Sequence, residues 1–214
     1  MSRSSIWQNL ISRYPQLADI EEDFNKICDT VINTLSNGGT LFLAGNGGSA
    51  CDSEHLAGEL LKGFCSKRPL SSDIQKKFTA AYGEEGAEIA AALQQGIKCI
   101  SLLSHPAYNS AFANDVDSSL VYAQQLQALG SADDIVIGFS TSGNAENIRK
   151  LFMTAKIFDM KTVLFTGINH GKSEIYADMS LHAPESETYK IQELHLPLYH
   201  AFALVLEEYF FGGI

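Results

Sequence analysis

From residues 5 to 35 the large apolar side chains Trp7, Leu10, Ile11, Tyr14, Leu17, Ile20, Phe24, Ile27, Val31, Ile32 and Leu35 recur at steps of three and four. That spacing lines one face of a helix, and Pro15, which has no N–H to donate, splits it. The stretch Ser36-Asn37-Gly38-Gly39 ends the helix, and residues 40–44 form a short continuous apolar run, as a strand buried on both faces does. A glycine loop and a helical stretch over 50–64 follow. The same grammar recurs twice. Residues 134–139 read as a strand, followed by Ser140-Thr141-Ser142-Gly143-Asn144 and a helix through Ile157; residues 161–165 read as another strand, followed by Thr166-Gly167. Residues 98–103 supply a further strand, and 189–211 close the chain as a long helix containing Pro197. Strands alternating with helices predict an α/β protein with a mostly parallel sheet covered on both faces.

The regularity loosens between Pro69 and Lys98, where a Lys-rich opening leads into an Ala-rich stretch, residues 84–95, that reads as an exposed helix. This segment is expected to be an insertion in one domain spanning 1–214, with residues 1–36 as an N-terminal helical segment. The chain is 45% hydrophobic and 19% charged, which excludes disorder. Fifteen basic against 25 acidic residues give a net charge of -10, which repels nucleic acid and anionic lipid because the basic residues form no cluster. Neither partner is expected. Cys28, Cys51, Cys65 and Cys99 have neither zinc-site spacing nor the density of a disulfide scaffold, and read as reduced thiols of a cytoplasmic protein. No stretch has the length of a signal peptide's apolar core or of a membrane span.

Two loops carry the candidate chemistry. A phosphate needs several converging donors, and a strand-loop-helix turn offers free N–H groups at the positive end of the helix dipole. Asn46-Gly47-Gly48-Ser49 and Ser140-Thr141-Ser142-Gly143 both follow apolar strands, and their hydroxyls add donors. A capped helix start that binds nothing uses the same residue types. Two such loops at parallel strand ends favour a ligand, because open α/β sheets bind ligands there. Residues 45–50 also satisfy the dinucleotide pattern G-x-G-x-x-A. The acidic residue expected about 20 positions on is missing, since that neighbourhood is Cys65-Ser66-Lys67-Arg68-Pro69.

The motifs Ala44-Gly-Asn-Gly-Gly-Ser-Ala-Cys-Asp-Ser-Glu-His55, Ser140-Thr-Ser-Gly-Asn144 and Ile191-Gln-Glu-Leu-His195, in this order, resemble the sugar isomerase (SIS) domain family, and within it the phosphoheptose (sedoheptulose-7-phosphate) isomerases. The likeness covers nearly the whole chain outside residues 69–98. It implies a flavodoxin-like three-layer sandwich with helical extensions at both ends, and a homotetramer with active sites shared between subunits. The implied reaction converts sedoheptulose 7-phosphate to a D-glycero-D-manno-heptose 7-phosphate through an enediol. By the same resemblance Asn46, Gly47, Gly48, Ser49, Asn114, Asp115, Ser140, Thr141 and Ser142 line the sugar phosphate. Glu59 is the base and His200 the acid, while His55, Glu59, Gln192 and His200 hold zinc, with Glu59 and Gln192 also touching substrate. His55 and Glu59 are spaced i,i+4, on one helix face, and Gln192 and His200 are eight residues apart, about two turns.

The chain departs from that family in three places. Gly63 stands where an arginine is usual, leaving Lys62, Lys67 and Arg68 as replacement cations; Ala145 replaces the last serine of the second loop; Pro197 interrupts the helix of Gln192 and His200 and is expected to bend it. The insertion either covers the site or is a tolerated surface loop. His195 reads as a structural histidine or as a partner behind the site. A non-catalytic SIS module that senses a sugar phosphate or serves as a scaffold is the alternative to an enzyme, and retention of His55 and Glu59 speaks against it.

Overall fold

The computed structural model describes residues 1–213. Its strands are β1 (Leu41–Ala44), β2 (Cys99–Ser101), β3 (Ile135–Phe139), β4 (Lys161–Thr166) and β5 (Met179–His182), in one sheet ordered β2-β1-β3-β4-β5. Every neighbouring pair is parallel, with Leu41 opposite both Cys99 and Ile135, Ile135 opposite Lys161, and Val163 opposite Met179. This is the flavodoxin-like order that the resemblance implies. The helices are α1 (Arg3–Arg13), α2 (Glu21–Ser36), α3 (Gly48–Leu61), α4 (Ser72–Ala92), α5 (Pro106–Phe112), α6 (Val121–Leu129), α7 (Glu146–Ile157) and α8 (Thr188–Phe211).

Side chains alternate across a strand, so each strand serves two cores. Leu41, Leu43, Ile135, Ile137, Phe139, Val163 and Phe165 join residues of α1, α2, α3 and α8 on one face. Phe42, Ala44, Val136 and Leu164 join α6 and α7 on the other. The sandwich is therefore three-layered. The N-terminal helix breaks at Pro15, where a 3-10 turn (Pro15–Ile20) lets α1 fold back so that Trp7 packs on Phe24, their rings 4.8 Å apart. Asp134 ties the starts of β1 and β3 together, accepting from the Thr40 N–H at 2.6 Å and the Ser131 N–H at 2.7 Å.

Three elements leave little mark on the sequence. In β5 only Leu181 is fully buried, so this edge strand lacks the apolar run that marks the others. Helices α5 and α6 are short, and α5 buries no residue. The segment between Pro69 and Lys98 is more helical than its Ala-rich half suggests, since α4 starts at Ser72. Gly83, at φ 63 and ψ -134, turns α4 back on itself. A Cβ at Gly86 would lie 2.1 Å from the Phe78 carbonyl, so the two arms touch backbone to backbone. A bridge between Pro69 and Gln94 closes the base. Helix α8 continues through Pro197. Among the described residues no helix is long and apolar enough to cross a membrane.

The link from α3 to the insertion hangs on one carboxylate. Glu207 of α8 is fully buried and accepts from the N–H groups of Phe64 (2.8 Å), Cys65 (2.8 Å) and Ser66 (3.1 Å), and from Arg68 Nε (2.7 Å). Arg68, equally buried, also donates to the Leu60 and Glu59 carbonyls. These belong to the last turn of α3, whose carbonyls have no helical partner and carry the negative end of the dipole. Burial works against the Glu207 charge, but the Phe64 and Cys65 N–H groups and Arg68 hold its carboxyl below the ordinary value. The substitution Glu207→Leu leaves the buried Arg68 charge without its carboxylate and three N–H donors without a partner. A loss of about 3–5 kcal/mol in urea unfolding is expected, the usual cost of breaking a buried pair from one side.

Candidate active site

The chain leaves β1 toward β2 on one side and leaves β3 toward β4 on the other. The crevice above the C-terminal ends of β1 and β3 is thus the topological switch point, where open α/β sheets take their ligands. Both predicted loops open onto it. In the first, Gly47 sits at φ 55 and ψ -120, a conformation that strains any residue with a Cβ. Gly48 starts α3, and a Cβ there would fall 2.6 Å from Gln192 Nε2, so a larger residue would displace the Gln192 amide from this position. Within the protein, the N–H groups of Gly47, Gly48, Thr141 and Ser142 donate no hydrogen bond among the described residues. Together with the hydroxyls of Ser49, Ser140, Thr141 and Ser142, they form a set of donors suited to an anion.

The loops are tied to each other and to the sheet. The amides of Asn46 and Asn147 pair reciprocally, at 2.9 and 2.8 Å, and Tyr122 donates to the Gly45 carbonyl at 2.6 Å. Neither Asn147 nor Tyr122 was singled out in the sequence. Asn147 follows the second loop in the first turn of α7, the one signal that could have marked it. The connection from β4 to β5 braces the second loop from behind: Gly167 N–H donates to Thr141 O, Ser173 N–H to Gly143 O, and Lys172 N–H to the Asn144 side chain. His195 supports the same region. It is fully buried against Phe139 and Phe165, with Nε2 3.3 Å from the Thr166 carbonyl, and burial pushes its imidazole down to about 4.

Helices α3 and α8 lie side by side, running the same way. Gln192 meets Gly48, His200 meets His55, and Glu207 meets the chain just beyond Leu61. His55 and Glu59, one turn apart, face each other with Nε2 to Oε1 at 3.3 Å. The Tyr199 hydroxyl lies 2.9 Å from His55 Nδ1. When the tyrosine donates, Nδ1 is the acceptor and Nε2 carries the proton directed at Glu59. The His200 ring is edge-on to His55, centroids 5.0 Å apart, and its Nε2 is buried with no partner. Burial and His55 hold His200 below the ordinary imidazole value. Asp52, which stands inside the first motif but was given no role there, has one buried oxygen without a partner among the described residues. Burial pushes its carboxyl up to about 6, opposed by Tyr199 and His55.

Other predicted residues lie apart. Asn114 and Asp115 are on a short π-helical turn (Ala113–Asp117), exposed, hydrogen-bonded to each other at 2.8 Å and to neither loop. Of the three cations considered for the position of the missing arginine, Arg68 is excluded, being wholly engaged with Glu207 and α3. Lys62 is the one at the site, with Nζ 3.1 Å from Glu59 Oε2. Ala145 is the N-cap of α7 and makes no side-chain cap.

A parallel sheet of this order, with two donor-rich loops at its switch point and a His–Glu pair on the helix that starts at the first loop, is the arrangement that the resemblance to SIS domains implies. The comparisons agree. The chain is 34% identical to the phosphoheptose isomerase of Helicobacter pylori strain P12 over 194 residues, covering 91% of this chain and 88% of that one. It is 34% identical to that of Burkholderia pseudomallei over 187 residues, covering 87% and 82%. The solved phosphoheptose isomerase from Neisseria gonorrhoeae superposes with a TM-score of 0.73 at 25% identity, covering 96% of each chain. No family model matches. On the identity and coverage of these relatives, the chain belongs to the phosphoheptose isomerase family.

The depressed His195 value has a consequence for stability. The unfolded chain takes up this proton near pH 6.5 and the folded chain only near 4, so the contribution is complete above 6.5 and is lost as pH falls toward about 4. Its size is about 3 kcal/mol. In His195→Gln the unfolding free energy, followed by urea titration from pH 8 to pH 4.5, is expected to fall less steeply with acid than in the wild type.

Proposed function

We propose that the chain is a phosphosugar aldose–ketose isomerase that converts sedoheptulose 7-phosphate to a D-glycero-D-manno-heptose 7-phosphate. The observation that carries this reading is the Glu59 carboxylate, held between His55 and Lys62 on the helix that begins at the first phosphate loop. A sugar whose phosphate rests on residues 46–49 and 140–142 is anchored at one end, and the base stands on α3 about three turns farther on.

In this reading Glu59 removes a proton from one carbon and returns it to its neighbour, and His200 moves the hydroxyl proton between the two oxygens. A neutral imidazole suits that second task, because it donates from one nitrogen and accepts at the other. His55, Glu59, Gln192 and His200 would hold a zinc ion. The donor set fits, with two imidazoles, a carboxylate and an amide oxygen, and the buried Nε2 of His200 has no partner among the described residues. Bound there, zinc supplies Lewis-acid polarisation of the sugar oxygens. Lys62 takes over the charge of the missing arginine. A homotetramer with shared sites belongs to the same reading. Asn114 and Asp115 are exposed and stand apart from the loops, and the His55 side chain is 44% exposed, as expected of groups that meet a neighbouring subunit. A cytoplasmic location belongs to the same reading.

A non-catalytic sugar-phosphate sensor needs the loops but not the base, so the Glu59 cluster favours the enzyme. Incubation with sedoheptulose 7-phosphate in deuterated water is expected to yield aldose product carrying deuterium. Glu59→Gln is expected to slow that exchange about 10²–10⁴-fold while sugar-phosphate binding survives; undiminished exchange in the variant overturns the assignment. Chelation is expected to suppress exchange in the wild type. Lys62→Ala is expected to raise KM about tenfold with a smaller change in kcat, the scale of one charge-assisted hydrogen bond. Steady-state kinetics of the variant checks this.

A further inference from the structure

A second cluster of ligand-type side chains lies on the connection that braces the second phosphate loop. Glu174 opens the 3-10 turn Glu174–Tyr176 between β4 and β5, His170 precedes it by four residues, and His182 ends β5. Glu174 Oε2 is 2.7 Å from His170 Nδ1, and Oε1 is 2.9 Å from His182 Nε2. The two rings are 5.0 Å apart. All three ligand atoms lie within 4.8 Å of one another; no other group of three or more His, Cys, Asp or Glu side chains meets that test among the described residues.

The hydrogen bonding of His182 sharpens the point. Its Nδ1 is 2.8 Å from the Gly167 carbonyl, which can only accept, so Nδ1 carries the proton. In the neutral ring Nε2 is then a bare lone pair aimed at a carboxylate oxygen. Two acceptors facing at 2.9 Å need a cation between them. A proton is one choice and a metal ion the other. A backbone carbonyl holding the far nitrogen is also the arrangement that orients histidines bound to metals.

We propose that His170, Glu174 and His182 bind a divalent transition-metal cation of the zinc class, at a site separate from Glu59. Two imidazoles and one carboxylate make a three-ligand set with room for water. Bonds of about 2.0–2.2 Å place tetrahedral ligands roughly 3.4 Å apart, a little wider than the contacts here. His170, whose side chain is 80% exposed, is free to make that adjustment. The ion's structural effect follows from the loop's neighbours. Ser173 N–H donates to Gly143 O at 2.8 Å and Lys172 N–H to Asn144 Oδ1 at 3.0 Å. A Cβ at Gly171 would fall 2.3 Å from the carbonyl carbon of Gly143. A metal pinning residues 170–182 therefore also pins residues 143–144.

Equilibrium dialysis of the full chain against zinc tests this, with His170→Ala, Glu174→Gln and His55→Ala as variants. The wild type is expected to bind a zinc that His55→Ala keeps, beside the one proposed at His55, and whose affinity falls at least about 100-fold in His170→Ala and Glu174→Gln. In the His55→Ala background zinc is expected to raise the thermal midpoint, and adding His170→Ala is expected to abolish that rise. Equal stoichiometry and affinity in the wild type and His170→Ala, or loss of all zinc in His55→Ala, overturns the proposal. His170 is exposed enough that its variant folds, and the result is independent of whether the chain isomerises any sugar.

Discussion

The buried carboxylate of Glu207 is the contact on which the site's geometry rests. It gathers three backbone N–H groups and a guanidinium that in turn caps α3, so it locks the C-terminal end of α3 against α8. Two helices running the same way could slide by a turn, about 5.4 Å, and still bury apolar side chains. A carboxylate with four donors cannot slide without leaving them unsatisfied. The register it sets puts His200 beside His55 and Gln192 over Gly48. A charged pair in a core contributes little net stability against apolar residues of the same volume, and its value here is positional.

The other half of the site is set by topology. Because β1 and β3 are adjacent and diverge, their two loops share one crevice, and the Asn46–Asn147 amide pair and the Tyr122 hydroxyl hold the loops in relation to each other. Behind them the β4–β5 connection satisfies the Thr141 and Gly143 carbonyls and the Asn144 side chain, and so leaves the loop's outward N–H groups free. His195 fills the space beneath as a neutral imidazole between two phenylalanines. A charge at that depth would cost several kcal/mol.

Polar chemistry is divided between two environments. On α3 and α8, the Tyr199 hydroxyl meets His55 Nδ1, so that Nε2 faces one oxygen of Glu59, and Lys62 covers the second. Near β5, the Gly167 carbonyl accepts the Nδ1 proton of His182 and leaves Nε2 to face Glu174.

By itself the sequence determined the sheet class, the two glycine-bearing strand-to-helix loops and the His55–Glu59 pair, because each is local. Continuous apolar runs report strands buried on both faces, glycines report tight turns, and i,i+4 spacing reports one helix face. The resemblance also pointed to Gln192 and His200, which packing brings to Gly48 and His55. The sequence could not show that Arg68 is spent in the core or that Asn114 and Asp115 stand apart from the loops. The first depends on a partner 139 positions away, and once Arg68 is taken, Lys62, three residues from Glu59, is the cation at the site. The half-buried β5, the short α5 and α6, and the roles of Asp52, Tyr122, Asn147 and Tyr199 were illegible for the same reason. A tyrosine or an asparagine acquires its function from the acceptor that tertiary packing brings to it, and no spacing along the chain encodes that meeting.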